Sequence, residues 1–143
     1  MSATQKHNMI LKTLENNLKN SFPSLKFEVN EKDQTITIEN QHSYIGNIDF
    51  EADDEEIITY IGNFTHWHAG CYDESLNREE KQKQVINEVL DFLRDLLSDK
   101  IVMWGSHKDG GGFYYLDYDE NEQDAPLNPS EVNKYVWSGK KIS

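Results

Sequence analysis

At 143 residues, with 36% hydrophobic and 11% aromatic side chains and a net charge of −12, the chain has apolar mass for one core and little room for two. One domain over residues 1–143 is therefore expected. The single cysteine, Cys71, excludes an internal disulfide, and the opening MSATQKHNMI has no apolar stretch of the secretory kind. No run approaches the roughly 18 apolar residues of a membrane-crossing helix, so a cytoplasmic protein of bacterial type, without membrane contact, is the expectation.

The acidity is segregated. Between Lys32 and Arg78 there is no basic residue but ten acids, and between Lys108 and Lys134 none but seven acids; the rest of the chain sets all fourteen basic residues against nine acids. Such a field repels phosphate backbones and draws in cationic partners. Nucleic acid is disfavoured as a ligand, and the charge map fits a basic protein partner and a purely solvating surface equally.

In chain order, Ala3 to Asn20 reads as an amphipathic helix, because Ile10, Leu11, Leu14 and Leu18 recur at helical spacing. Phe22-Pro23-Ser24 ends it. Leu25, Phe27 and Val29 alternate with polar residues, as do Ile36 and Ile38, which predicts a hairpin turning at Asn30 to Gln34. Tyr44 to Ala52 and Ile57 to His68 alternate again across an acidic turn, giving a four-stranded antiparallel meander.

The strongest helix signal runs from about Asn77 to Ser98, with Val85, Val89, Phe92, Leu93 and Leu96 as its stripe. Its start lies either at Asp73-Glu74-Ser75 or one turn on, where Asn77 and Glu80 form a capping-box pair. Ile101 to Trp104 and Phe113 to Tyr118 predict a second hairpin around Lys108-Asp109-Gly110-Gly111-Gly112. An acidic loop follows, then a short segment at Tyr135-Val136-Trp137 and a frayed tail at 138–143. Strands in runs, without strict βαβ alternation, make the class α+β. Both helices are expected on one face of a single twisted sheet.

Thr65-His66-Trp67-His68-Ala69-Gly70-Cys71 places two histidines on one side of a strand with a thiol three residues on. With His107 or a carboxylate recruited, His66, His68 and Cys71 could bind zinc. A surface cluster at the sheet's end is the plainer reading, and thiol catalysis is opposed by the acidic surroundings, which raise a thiol's pKa. Asp117-Tyr118-Asp119-Glu120-Asn121-Glu122 opens like a calcium loop, but Glu122 stands where glycine is needed and Asn128 where a closing glutamate is needed. The triple glycine lacks the lysine and hydroxyl of a phosphate loop. Four adjacent acids, Asp53, Asp54, Glu55 and Glu56, read as solvated and not as an acid and base pair. No enzyme, cofactor or resident metal is expected. The surplus aromatics, which cannot all point inward from regular strands, suggest an interface for a basic partner.

From about Thr59 to Tyr118, a strand ending in THWH, an acidic turn, a helix ending in DFLRDLLSDKIV and a glycine-containing hairpin resemble small immunity proteins of bacterial polymorphic toxin systems. The resemblance implies a non-catalytic inhibitor of a basic toxin, as monomer or homodimer. It implies contacts through exposed residues: Asp53, Asp54, Glu55, Glu56, His66, Trp67, His68, Asp117, Asp119 and Glu120. An acidic secretion chaperone shares the same plan of helices and sheet and remains the related alternative.

Overall fold

A computed structural model describes residues 3–53, 56–116 and 133–142. Helix α1 spans Ala3–Ser21 and buries Ile10, Leu11, Leu14 and Leu18. It closes where Phe22 N–H donates to Leu18 O and the chain turns through Pro23, whose ring cannot continue a helix. Helix α2 spans Arg78–Leu97 and starts at the second of the two candidate caps. Glu80 N–H donates to Asn77 Oδ1 at 2.9 Å and Asn77 N–H to Glu80 Oε1 at 3.2 Å, satisfying two donors that the first turn leaves open. No described helix is long and apolar enough to cross a membrane.

Five strands between the helices form an antiparallel sheet in chain order: β1 Glu28–Asn30, β2 Thr35–Ile38, β3 Ile48–Asp53, β4 Glu56–Ile61 and β5 Thr65–Ala69. The class is α+β, and α1 lies over β2 and β3 while α2 lies over β4 and β5, both on one face as expected. The strand number is corrected from four to five. Ile57 to His68 reads as one strand by alternation, but Gly62 takes φ +55°, and a Cβ there would fall 2.2 Å from Ile45 O. With Gly62 N–H donating to Asn47 O and Asn63 N–H to Ile45 O, the chain reverses there. Leu25 and Phe27 pack on the core ahead of the ladder, and Tyr44 sits in a turn before β3, where Ile45 and Gly46 N–H both donate to His42 O.

The single sheet is corrected to two. β6 Ile101–Ser106, β7 Gly110–Tyr115, β8 Lys134–Tyr135 and β9 Lys141–Ile142 form a second sheet in the order β7-β6-β8-β9. Strand β6 is paired on both sides, by β7 and β8, so it offers no edge to the first sheet. β7 instead approaches β5 by close packing: a Cβ on Gly111 would sit 2.3 Å from Phe64 O. Gly110 to Gly112 thus belong to a strand, and the turn lies just before them, where Asp109 N–H donates to Ser106 Oγ. The expected frayed tail is corrected too, since Lys141 and Ile142 pair with Tyr135 and Lys134, and Ser138 N–H donates to Asp99 Oδ1 at 3.0 Å.

The second sheet also absorbs aromatics expected at the surface. Its inner side adds Ile101 and Met103 to the main core, with Phe113, Tyr115 and Tyr135 packed against them, while Tyr114 joins Val102 and Val136 in a small cluster on the other side. Adjacent tyrosines on a strand are thereby both covered. Trp67, Phe92 and Phe113 form a chain of rings 5.1 and 5.2 Å apart that ties β5, α2 and β7 together.

One core residue is out of keeping. Thr59 lies between Phe50 and Trp67 in the ladder, is fully buried, and its Oγ1 has no hydrogen-bond partner. A buried hydroxyl without a partner costs about 1–3 kcal/mol of desolvation. Thr59→Val, which exchanges that hydroxyl for a methyl, is expected to stabilise the protein by about 1 kcal/mol and raise its melting temperature by about 2–5 °C. Thermal unfolding of the two proteins side by side checks it.

Candidate functional site

The face of the five-stranded sheet turned away from the helices is the part of the fold that concentrates polar chemistry. Strand alternation sends Ile36, Ile38, Ile48, Phe50 and Ile57 to the helices, and the opposite set faces outward. The register arranges that set in two rows across all five strands. One runs Glu28, Thr37, Asp49, Tyr60, His66; the other runs Asn30, Thr35, Glu51, Ile58, His68. Because no Lys or Arg occurs from residue 33 to 77, strands β2 to β5 put no fixed positive charge on this face.

Its carboxylates are held by neutral donors. Thr37 Oγ1 donates to Asp49 Oδ1, and Tyr60 Oη donates to Glu51 Oε2 at 3.1 Å. Glu56, at the start of β4, accepts from Tyr72 Oη, and its other oxygen lies 3.4 Å from His68 Nδ1. Elsewhere among the described residues, Lys12 and Lys19 pair with Glu15 on α1 and Arg94 with Asp91 on α2. Hydroxyl donors fix the carboxylate oxygens without cancelling their charge, so the negative potential stays available to a partner.

Histidines close one end of the face. His66 lies edge-on to His68 at 5.4 Å, near Tyr60 at 5.9 Å, and stacked on His107 from the turn between β6 and β7 at 6.3 Å. Tyr72, which bonds Glu56 at the rim of the face, is 76% exposed.

The hydrogen bond from Tyr72, with His68 adding to it, holds the Glu56 carboxyl below its ordinary value of 4.5. The same bond pushes the Tyr72 phenol above its ordinary 10.0. Glu56 therefore contributes stability that is fully present above the ordinary carboxylate range and is lost as pH falls through its lowered value. Tyr72 contributes stability present below the ordinary phenol range and lost as pH rises through its raised value. Glu56→Gln is expected to flatten the acid limb of the stability profile and return the Tyr72 phenol toward 10.0. Absorbance titration of the phenolate, with Tyr72→Phe to assign it, reads the second effect directly.

Of the residues expected at an interface, Glu56, His66 and His68 come together on this face. Trp67 does not: it points to the helix side, half-buried against Phe92, because its neighbours on the strand face out. Asp53 ends β3 opposite Glu56, while Asp54, Glu55, Asp117, Asp119 and Glu120, with the calcium-like loop, lie outside the described residues. The zinc candidate is not assembled, since Cys71 Sγ donates to Gln84 Oε1 on α2 at 3.3 Å. Among the described residues no group of three or more His, Cys, Asp or Glu could hold a metal ion.

Asp49, Glu51 and Tyr60 are additional members of the site, and their period-two alternation with Phe50 and Thr59 is the signal in the sequence that puts them on one face. His107 carried no such signal, because its place beside His66 depends on how the two sheets meet. No family model, curated protein or solved structure matches the chain.

Proposed function

We propose that the chain is a non-catalytic binding protein that holds a basic protein domain against the open face of its five-stranded sheet. The observation that carries this reading is a face with Asp49, Glu51 and Glu56 held by hydroxyl donors and no Lys or Arg on β2 to β5. Electrostatic complementarity of this kind sets association rate and selectivity, while Tyr60, Tyr72 and Ile58 supply apolar area for the contact. The resemblance to immunity proteins makes the partner a cognate toxin domain, neutralised in the bacterial cytoplasm where both are made, and assigns His66 and His68 to the rim of the contact.

The test is to retain partners of the tagged protein at low and moderate salt, then reconstitute any candidate from purified components. A single basic domain that forms a stoichiometric complex and loses its activity on binding supports the reading. A stoichiometric partner without a basic surface, or none at either salt concentration, overturns it.

A further inference from the structure

Strand β1 is the edge of the five-stranded sheet, joined only to β2 among the described residues. The direction of its free groups follows from the register. Ala52 N–H donates to Gln34 O at 3.2 Å, so Ile36 and Ile38, in phase with Gln34, exchange hydrogen bonds with β3. Thr35 and Thr37 must then exchange theirs with Asn30 and Glu28 across the other side. Val29 is left with its N–H and C=O turned outward along the open edge.

Beside that edge lies an open groove of about 550 Å³ lined by Glu28, Val29, Asn30, Glu31, Thr35 and Thr37. Its wall is fixed in advance. Asn30 Nδ2 donates to Asp33 Oδ2 at 2.9 Å and Asp33 N–H to Asn30 Oδ1 at 3.1 Å, which locks the turn that carries Glu31. Glu28 also begins the outward row that continues through Thr37 to Asp49, so the groove opens onto the acidic face.

We infer that this edge takes an extended basic segment of the partner, which adds as a further strand at Val29 and lays an alternate Lys or Arg into the groove between Glu28 and Glu31. The inference rests on the proposed binding of a basic protein and specifies where and how it docks. Main-chain pairing supplies affinity and the side-chain groove supplies selectivity. Lys26 and Lys32 bracket the strand and repel basic residues beyond its ends, which confines the recognised stretch to the few residues opposite β1. A second copy of the chain fits worse, since antiparallel pairing of β1 with itself about Val29 sets Lys26 of each copy against Lys32 of the other.

The experiment titrates the full-length protein with the peptide Thr-Val-Lys-Thr-Lys-Val-Thr, which keeps its lysines clear of Lys26 and Lys32, followed by amide hydrogen exchange and NMR shifts. Binding is expected to slow exchange of the Val29 amide about tenfold or more, as one new main-chain hydrogen bond of about 1.4 kcal/mol would. Val29→Pro removes the donor that points away from β2, leaves the β1–β2 bonds in place while exchanging a side chain that packs on the core, and should cost about tenfold in peptide affinity. Glu28→Lys with Glu31→Lys, which leaves the backbone alone, should cost at least as much if Val29→Pro perturbs the fold. Binding that survives both variants but is lost in Asp49→Lys with Glu51→Lys overturns docking at the edge while keeping the acidic face. A peptide that does not bind, or a dimer of the chain that masks β1, overturns the inference whatever partner is captured in the reconstitution.

Discussion

Phe50→Ala is expected to destabilise the protein by about 3–5 kcal/mol, a large part of the roughly 5–15 kcal/mol available to a domain of this size. Phe50 is fully buried in the middle strand of five, flanked by Ile36 and Thr59 in the ladder and roofed by α1. Removing the ring discards its transfer free energy and leaves a cavity whose walls are strands hydrogen-bonded on both sides, so little can collapse into it. Urea denaturation should show the midpoint falling with an unchanged slope. Phe50→Leu, which refills most of the volume, should recover more than half of the loss. A loss below about 1.5 kcal/mol for the alanine variant, the range of a volume-conserving core swap, would mean that α1 does not close over β3 as described.

The same burial explains which parts of the fold could be read in advance. Both helices declare themselves because their apolar residues recur at one period over nineteen and twenty residues, and the Asn77–Glu80 pair marks a boundary by a local hydrogen-bonding pattern. The strands declare their faces equally well, since Ile36, Phe50 and Ile57 go inward by simple alternation. What alternation does not encode is where a strand is interrupted. Gly62 sits in an apolar-rich run that continues the period on either side, and only the close approach of Ile45 O makes a reversal of it.

The number of sheets is hidden for a related reason. Whether β6 pairs with β5 or with β8 depends on partners thirty or more residues apart, and Lys134-Tyr135 and Lys141-Ile142 are too short to signal strands at all. The candidate site divides along the same line. Asp49, Glu51, Tyr60, His66 and His68 follow from chaining local alternation across hairpins, whereas His107 and Tyr72 reach the face only through tertiary packing. Trp67 is the converse case: it adjoins two exposed histidines in sequence, yet the strand turns it to the helix side.

Reversing the charge of the open face should have the largest effect on binding. In Asp49→Lys with Glu51→Lys and Glu56→Lys, the association rate with the basic partner is expected to fall by about 10- to 1,000-fold at low salt. Its salt dependence should change sign, because a mutual attraction has become a repulsion that added ions screen over a Debye length of about 10 Å at 0.1 M. The neutral set, Asp49→Asn with Glu51→Gln and Glu56→Gln, separates charge from structure: each amide keeps an oxygen able to accept from Thr37, Tyr60 or Tyr72. Those variants should hold the fold and lose most of the salt dependence without inverting it. Stopped-flow association at two ionic strengths distinguishes the outcomes. If the reversed protein binds at the original rate with the original salt slope, the partner meets some other surface, and the segregated acidity of residues 33–77 serves solubility alone.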